Sequence, residues 1–411
     1  MISPRPILSS LRRHKIAALL IILETALAFA IVSNALYMVV GRLERVRMPS
    51  GIDERSLVML RLDTSDRSQG TVASGLADVA ALRTIPGVES ATVANSMPLS
   101  GMQWGLSFST RPMDSIGSGV GAPLYLGGPD LLKTFGVHVL AGSEFAPSAY
   151  ADFRRKGFID QLMTVHQALI TKALAERLWP HGQAVGKEMY MGKTRVQVVG
   201  VVSNIIRPYV SADAHDPANY FAAIYPRRLG PDLGAFYVLR CKPADRSRIL
   251  EAARAKLQAL HPTETVGLHE TFTRMRRHYF ANDRSMAWLL VGTMLALLGV
   301  TAVGIVGLAS FWVQQRTRQI GVRRALGACR ADIRRYFQAE NFLLATTGIL
   351  IGCAAAIVIN VWLMAHYSVP RLPVIYLPVG ALLLVGIGQI AVLGPAIRAA
   401  RVPPTRAMRA A

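Results

Sequence analysis

The sequence predicts an α+β membrane protein with four transmembrane helices, one before and three after a large mixed α/β extracytoplasmic domain. Three observations lead to this fold class. Four apolar runs are long enough to cross a hydrocarbon core of about 30 Å, which takes about 20 residues. A long polar stretch, residues 41–284, separates the first run from the other three. The short segments that flank the runs are rich in arginine.

The chain begins with a basic leader, residues 1–15, followed by the first apolar run, residues 16–40. A cleaved signal peptide is the alternative interpretation, because Ala28-Phe29-Ala30 has the small-residue pattern of a cleavage site. We favour an uncleaved anchor. The apolar character continues as far as Val40, whereas the apolar core of a signal peptide is only about 7–15 residues long.

Glu24 is the one charged residue inside the four apolar runs. A charge at the bilayer centre costs about 2.5–3.5 kcal/mol on insertion scales, so this acid should face other helices or be protonated. A coupling or proton-linked site is one interpretation. We favour another, in which Glu24 lies at a shallow depth or pairs with a polar group such as Thr25 or Asn34.

Residues 41–284 alternate between strand-like and helix-like segments, which predicts a domain of short elements. Apolar, β-branched stretches predict strands at Ser56–Leu62, Ala91–Ala94, Ala168–Ile170, Val196–Val202 and Phe236–Arg240. Amphipathic stretches predict helices at Val72–Ile85, Lys172–Leu178, Arg246–Leu260 and Thr271–Arg284, the last leading into the second span. Gly101–Gly128, rich in Gly, Ser and Pro, predicts a loop or an inserted piece. Cys241 is the one cysteine here, so no intrachain disulfide is expected.

Residues 285–411 form the second predicted membrane domain. Its spans are expected at residues 286–313, 341–366 and 372–397. We name residues 314–340, between the first two of these, the interspan segment.

Glycines in these spans predict close helix packing. Gly348 and Gly352 have the small-xxx-small spacing that lets membrane helices approach each other. Gly299, Gly304 and Gly307 suggest the same for the preceding span. Whether such contacts lie within one chain or across a dimer is open at this point.

The charge pattern predicts an orientation in the inner membrane. Lys and Arg are concentrated in the leader, the interspan segment and the tail, where Asp332 and Glu340 are the only acids. By the positive-inside rule these segments and both termini are cytoplasmic, and residues 41–284 are periplasmic. Much of the net charge of +21 is therefore topological. This excludes a nucleic-acid partner, which would need a basic soluble face, and favours contact with membrane lipid.

The interspan segment contains the most informative stretch of the chain, Q-R-T-R-Q-I-G-V-R-R-A-L-G-A at Gln315–Ala328. Arginines alternate with apolar residues and glycines, which predicts a short structured element that docks on a cytoplasmic partner. Guanidinium groups pair directionally with carboxylates, apolar contacts come from residues that include Val322, and Gly327 can end a helix in the left-handed conformation. The candidate docking residues are Arg316, Arg318, Gln319, Ile320, Gly321, Arg323, Arg324, Leu326 and Gly327. The alternative is that the arginines only set topology and bind lipid.

On these residues the chain resembles FtsX-type permeases of ABC transporters, specifically the MacB-like branch with a large periplasmic core domain. The strongest match is Gly304–Ala328, in which Ile-Gly, basic residues and Ala-Leu-Gly-Ala follow the family pattern and Gln319 stands where the family commonly has Glu. Further similar segments are Leu82–Ser90, Leu131–Phe145, Ala173–Lys187, Val198–Val202 and Pro395–Arg409.

The resemblance implies a permease subunit that couples ATP hydrolysis by a separate ABC ATPase chain to movement of its periplasmic domain, driving export or extraction of a substrate. It also implies a dimer with a second copy or a paralogue. A periplasmic adaptor is a further candidate partner, which the residues neither require nor exclude. The alternative function is an FtsX-like regulator or sensor that signals to a periplasmic partner such as a cell-wall hydrolase, without transport. If Gln315–Ala328 docks on the ATPase, replacing Ile320 and Leu326 by Asp is expected to abolish ATPase co-purification without loss of membrane insertion.

We expect no enzymatic activity and no cofactor or metal bound by this chain itself, with ATP bound by the partner ATPase. Gly192-Lys193-Thr194 is the nearest match to a phosphate-binding loop, but Lys187 stands where that motif requires its first glycine. His166, His181, His215, His261, His269 and His278 are scattered, without carboxylates or cysteines at ligand spacing.

Overall fold

The computed structural model describes residues 15–63, 71–114, 119–154, 157–180, 182–367 and 371–401. The chain divides into two compact units. The helical unit comprises Met1–Val46 and Asp283–Ala411, and the sheet unit comprises Arg47–Asn282. The predicted leader apart from Lys15, His181, and the tail arginines after Arg401 lie outside the described residues.

The described residues form eleven α-helices. In chain order they are α1 (Lys15–Arg47), α2 (Val72–Arg83), α3 (Leu131–Phe135), α4 (Phe158–Met163), α5 (Lys172–Leu178), α6 (Arg246–Leu260), α7 (Phe272–Tyr279), α8 (Ala281–Gln315), α9 (Thr317–Ala325), α10 (Arg330–Tyr367) and α11 (Tyr376–Ala400). Four of them, α1, α8, α10 and α11, are long and apolar enough to cross a membrane.

The helices leading into and out of the apolar spans differ from the prediction at one place. The first helix, α1, continues beyond the apolar run to Arg47. The single helix predicted at Thr271–Arg284 is wrong, because α7 ends at Tyr279 and α8 begins at Ala281. Phe280 between them is fully buried, and its N–H is bonded to the carbonyls of Arg276 and His278.

The helical unit packs through small residues and a few large side chains. One of its buried clusters is formed by Ala28, Phe29, Ala30, Ile349, Ala356 and Leu384, from α1, α10 and α11. Alanines let the helix backbones approach closely, which is the main source of attraction where lipid is the solvent. At one end of the unit, Asp283 is buried and accepts hydrogen bonds from Arg42 at 2.7 Å and Arg45 at 2.8 Å, which join α1 to α8.

The sheet unit contains the strands. They are β1 (Leu57–Asp63), β2 (Val88–Ala94), β3 (Gly105–Phe108), β4 (Val120–Gly127), β5 (Val139–Gly142), β6 (Ala151–Phe153), β7 (Gln167–Thr171), β8 (Glu188–Met191), β9 (Thr194–Val202), β10 (Ala223–Leu229), β11 (Phe236–Cys241) and β12 (Thr265–Thr271). All five predicted strands are observed with small shifts at their ends.

The strand order within the sheet is β12-β1-β11-β2-β4-β10-β7-β9-β5. Its first four strands are antiparallel neighbours, built from β1–α2–β2 and, much later in the chain, β11–α6–β12. This is the split βαβ order, with β3 to β10 inserted between the two halves. The inserted strands extend the same sheet beyond β2 through β4, where Ala94 pairs with Gly127.

Gly101–Gly128 is not a loop, because it contains β3 and β4. The two strands pair antiparallel from Gly105↔Pro123 to Phe108↔Val120, and β4 also lies parallel to β10. Fully buried side chains at Leu124 and Leu126 place this hairpin in the main apolar core of the unit. Of the two predicted alternatives, a loop or an inserted piece, the structure therefore contains the inserted piece.

Candidate functional site

Within the interspan segment, Thr317–Ala325 form a short helix, α9, with a defined start and end. It follows α8 after one non-helical residue, Arg316, at φ −102° and ψ 9°. Its last helical residue is Ala325, and Gly327, two residues further on, has φ +96°. The Ala328 N–H bonds to the Arg323 carbonyl at 3.0 Å, and the Gly327 N–H bonds to the Arg324 carbonyl at 3.1 Å. These two bonds form a Schellman motif, which confirms the predicted left-handed helix end.

The apolar residues of α9 divide between a buried and an exposed face. Ile320 is 5% exposed, whereas Val322 is 48% and Leu326 is 84% exposed. Ile320 belongs to a cluster with Val313, Ile333, Phe337, Ala396, Ala399 and Ala400. This cluster fixes α9 on α10 and α11, and it leaves Val322 and Leu326 at the surface.

The arginines divide in the same way. Arg316 is buried, and its Nη1 donates to both carboxylate oxygens of Glu340 at 3.0 Å. Its guanidinium also lies 5.6 Å from the centre of the Trp312 ring. Arg323 is exposed and lies 4.9 Å from the centre of the Tyr336 ring, and Arg318 is exposed.

Two of the predicted docking residues therefore have a different role in the structure. Arg316 was expected to pair with an acid of the partner, but its charge is already opposed by Glu340 inside the unit. Ile320 was expected to touch the partner, but it forms part of the apolar seat of α9. Gly321 is buried as well. The pairing of Arg316 within the chain could have been predicted from the sequence, since Glu340 is one of only two acids in an arginine-rich segment.

Gln319 borders a small cavity next to Arg316. The cavity has a volume of about 20 Å³, enough for one water molecule, and is lined by Arg316, Gln319, Ile320, Arg323, Ile333, Tyr336 and Phe337. An acid at position 319 would stand beside two guanidinium groups. With the neutral Gln319, Nη2 of Arg316 is buried and has no hydrogen-bond partner among the described residues.

Glu24 contacts the second span rather than its predicted partners. A Cβ built on Gly304 of α8 would lie 2.6 Å from Oε1 of Glu24, so the carboxylate lies directly on the Gly304 backbone. Asn34 instead donates to the carbonyls of Ala30 and Ala356. The hydroxyl of Thr25 is buried without a partner in the described part of the chain. Among the described contacts, Glu24 therefore does not pair with Thr25 or Asn34, and its shallow depth in the bilayer stays a prediction.

Gly348 and Gly352 lie where α10 packs on α1 of the same chain. A Cβ on Gly348 would lie 2.9 Å from the Ile22 carbonyl oxygen, and one on Gly352 would lie 2.8 Å from that of Ala26. The sequence left open whether these glycines pack within one chain or across a dimer. In the structure they pack within the chain. Gly299 and Gly307 differ, since a Cβ on either would have no neighbour within 4 Å.

A buried group of titratable side chains lies in the sheet unit, outside this region. Asp78 of α2 accepts a hydrogen bond from the Tyr237 hydroxyl at 2.5 Å and lies 2.8 Å from His261 Nε2. Burial, followed by the neighbouring Asp78, raises the pKa of Tyr237 well above its ordinary value. The group ties α2 to β11 and to the end of α6. No set of three or more His, Cys, Asp or Glu side chains that could hold a metal occurs among the described residues.

Two protein families match the chain. Residues 22–259 match the MacB-like periplasmic core domain, and residues 291–404 match the C-terminal region of FtsX-like permeases. Four apolar helices with a mixed α/β sheet unit define the class: an inner-membrane protein with an extracytoplasmic domain. Within that class, the chain belongs to the MacB-like FtsX permeases of ABC transporters.

Relatives of the chain are ABC transporter permeases or ATP-binding/permease proteins. The chain is 27% identical over 265 residues to the uncharacterized ABC transporter permease YvrN of Bacillus subtilis. This match covers 62% of this chain and 65% of that protein. It is 23% identical over 303 residues to the macrolide export ATP-binding/permease protein MacB of a Shewanella species, covering 72% and 42%. For the pyoverdine export ATP-binding/permease protein PvdT of Pseudomonas putida the identity is 28% over 262 residues, covering 61% and 38%. The matched region spans less than two thirds of each relative.

Proposed function

We propose that this chain is the permease subunit of an ABC transporter and that it couples ATP hydrolysis by a separate ATPase chain to movement of its extracytoplasmic domain. That movement would drive export or extraction of a substrate. In this arrangement both termini and the interspan segment are cytoplasmic. The observation that carries the proposal is α9, a short helix seated on α10 and α11 with an apolar and basic face left open.

The packing of α9 on α10 and α11 matters because a nine-residue helix is not stable alone. Isolated helices shorter than about 12–15 residues are marginal in water, so α9 depends on the Ile320 cluster and on its Schellman end. Since those contacts are to α10 and α11, a force applied to α9 is passed to the helices that hold it. This is the property that a coupling element needs.

The open face has the chemistry of a protein-binding surface. Val322 and Leu326 provide apolar area, and a buried apolar centre with a polar rim is typical of protein interfaces. Arg318 and Arg323 provide cations at the surface, and guanidinium groups pair directionally with carboxylates of a partner. The stacking of Arg323 on Tyr336 orients its side chain before any partner arrives.

The contact residues that we propose are therefore Arg318, Gln319, Val322, Arg323 and Leu326. Ile320→Asp is a poor test of docking, because it would place a charge in the cluster that seats α9. A loss of the ATPase in that variant would report unfolding of the interspan segment as readily as a lost contact.

The test is affinity purification from native membranes of the double variant Val322→Asp, Leu326→Asp. We expect the wild-type chain to retain a protein that carries a phosphate-binding loop, and the double variant to lose it while reaching the membrane at normal levels. Val374→Asp is the matched control, since Val374 is 76% exposed in the link between α10 and α11. It should retain the ATPase.

Equal recovery of the ATPase by the double variant and the wild type would refute docking through α9. A wild-type chain that brings down no ATPase but retains a cell-wall hydrolase would refute the transporter and favour the regulator. If the ATPase is present, a periplasmic adaptor in the same fraction would indicate export through a larger assembly. A lipoprotein there would indicate extraction.

We also place a second copy or a paralogue of this chain in the assembly. In α8 the large side chains of Leu289, Leu295, Val300 and Val303 are all exposed within the single chain. They are available to lipid or to another helix, and membrane helices associate by such packing. The mass of the purified complex in detergent tests this, and a single permease chain per complex would contradict it.

A further inference from the structure

The Arg316–Glu340 ion pair occupies the junction of three helices. Arg316 is the single residue between the end of α8 and the start of α9, and Glu340 lies ten residues into α10. The side chains are only 8% and 1% exposed. A buried ion pair is weak evidence for stability, because desolvation of both charges opposes their attraction. Such a pair can instead fix one relative arrangement of the elements that it joins.

The pair also holds the residue about which α9 must turn. Arg316 is the non-helical residue between two helices, so any change in the angle between α8 and α9 requires rotation about its backbone. Its N–H bonds to the Trp312 carbonyl in α8 at 3.1 Å, and its carbonyl accepts the Ile320 N–H of α9 at 2.9 Å. Its side chain, by contrast, ends on α10. One residue therefore connects all three helices.

The geometry of the pair permits rotation without dissociation. A single nitrogen, Nη1, contacts both oxygens of Glu340, while Nη2 has no partner within the described residues. A guanidinium held through one nitrogen can swing about that contact. The apolar contacts of Ile320 with Ile333 and Phe337 are non-directional, so they allow α9 to slide along α10, whereas the charged hydrogen bonds do not.

We infer that the Arg316–Glu340 pair is a joint that transmits displacement of α9 to α10 as well as to α8. The inference rests on the proposed function, in which an ATPase moves α9. Arg316 and Glu340 are positioning residues. Both are buried within the chain, and they determine which helices move when the ATPase displaces α9. Without the pair, α9 would still dock and still press on the helices beneath it, but its displacement along α10 would no longer be passed to α10.

The experiment uses the full-length chain purified with its ATPase and reconstituted in lipid. Two quantities are measured: the amount of ATPase retained, and the change that ATP causes in the pattern of limited trypsin digestion of the sheet unit. For Glu340→Gln we expect normal ATPase retention and loss of the ATP-dependent change. The double variant Arg316→Glu, Glu340→Arg restores opposite charges and should restore the change.

Two further variants control for misfolding and for charge. Arg316→Met with Glu340→Leu replaces the pair by apolar side chains of similar size, which buried sites often accept without loss of stability. It should fold, retain the ATPase and lack the ATP-dependent change. If Glu340→Gln does not accumulate, this variant tests the joint in its place. Asp332→Asn removes an exposed acid from the same helix and keeps a side-chain oxygen for the Cys329 N–H. It should behave as wild type.

The outcomes separate the inference from the function on which it rests. A wild-type complex without an ATPase, or one whose digestion does not respond to ATP, would overturn the proposed function and the joint with it. If ATP changes the digestion of the wild type and of the Arg316→Met, Glu340→Leu variant equally, the inference of a joint is wrong and the proposed function stands.

Discussion

The carboxylate of Glu24 in α1 lies on the backbone of Gly304 in α8, so close that a Cβ on Gly304 would be 2.6 Å from Oε1 and 2.7 Å from Oε2. The absence of a side chain at 304 is what allows an acidic side chain between these two helices. The contact brings the one charged residue of the four apolar runs to an internal helix surface, where a charge is less costly than against lipid.

Gly304→Ala should therefore weaken the packing of α1 on α8. A methyl group there must displace the carboxylate or separate the helices, and overpacking of this kind costs about 1–3 kcal/mol. We expect a lower midpoint of thermal unfolding in detergent. Gly299→Ala and Gly307→Ala are matched controls on the same helix, because neither Cβ would have a neighbour within 4 Å.

The same contact predicts an interaction between two substitutions. In Glu24→Ala the carboxylate is gone, so adding Gly304→Ala should cost less than it does in the wild-type chain, as coupled neighbours depart from additivity. A full, additive loss in the double variant would mean that the carboxylate is not what the Gly304 methyl displaces.

Gly352→Ile should separate α10 from α1. The Ala26 carbonyl oxygen and the Phe29 side chain lie 2.8 Å and 3.0 Å from the position of a Cβ at 352, and the first of these is backbone that cannot rotate away. We expect reduced accumulation in membranes, measured by immunoblot. Gly386→Ile in α11, where a Cβ meets nothing within 4 Å, should accumulate normally, and equal loss in both variants would assign the effect to isoleucine itself.

The sequence could predict what depends on local pattern. The apolar runs, the five strands and the helix end at Gly327 are properties of neighbouring residues, and each is present in the structure. It could not predict which face of α9 is buried. Ile320 is covered by Ala396, Ala399 and Ala400, more than 70 residues further along the chain, and only the folded chain brings them together.

Long-range pairing also explains why Gly101–Gly128 is not a loop. β4 has Gly and Pro, which predict a loop, but its ladder with β10 from Ala223↔Leu124 to Pro226↔Gly127 joins segments about 100 residues apart. Arg316 was misplaced for a similar reason. Its partner Glu340 is 24 residues away, and a segment so rich in arginine draws attention to its exposed cations.

Asp78→Ala should destabilise the sheet unit. The Tyr237 hydroxyl and His261 would lose a buried acceptor, and leaving buried groups without a partner costs about 1–3 kcal/mol. The midpoint of unfolding followed by tyrosine fluorescence should fall. Asp114→Ala is the control, since Asp114 is fully exposed in its contact with Lys193, and it should not shift the midpoint. An unchanged midpoint for Asp78→Ala would show that the triad of side chains contributes nothing to the unit.

Reaction of the native cysteines with a membrane-impermeant maleimide tests the proposed orientation. Cys329 is exposed in the interspan segment between α9 and α10, and Cys241 is buried in β11. Burial raises the pKa of the Cys241 thiol from 9.0 to about 11, so at pH 8 only about one part in a thousand is the reactive thiolate. We expect Cys329 to react in inside-out vesicles and not in intact spheroplasts, and Cys241 to react in neither until the protein is unfolded.

A cysteine introduced at Tyr209, which is 65% exposed in the sheet unit, provides the opposite control. Tyr209→Cys should react in intact spheroplasts and be protected in sealed inside-out vesicles. The sign of the pH effect is also fixed: because burial raises its pKa, the thiolate fraction of Cys241 in the folded chain stays small until the pH approaches 11. Reaction of Cys329 from outside the spheroplast would place α9 in the periplasm, where no ATPase could act on it, and would remove the basis for coupling.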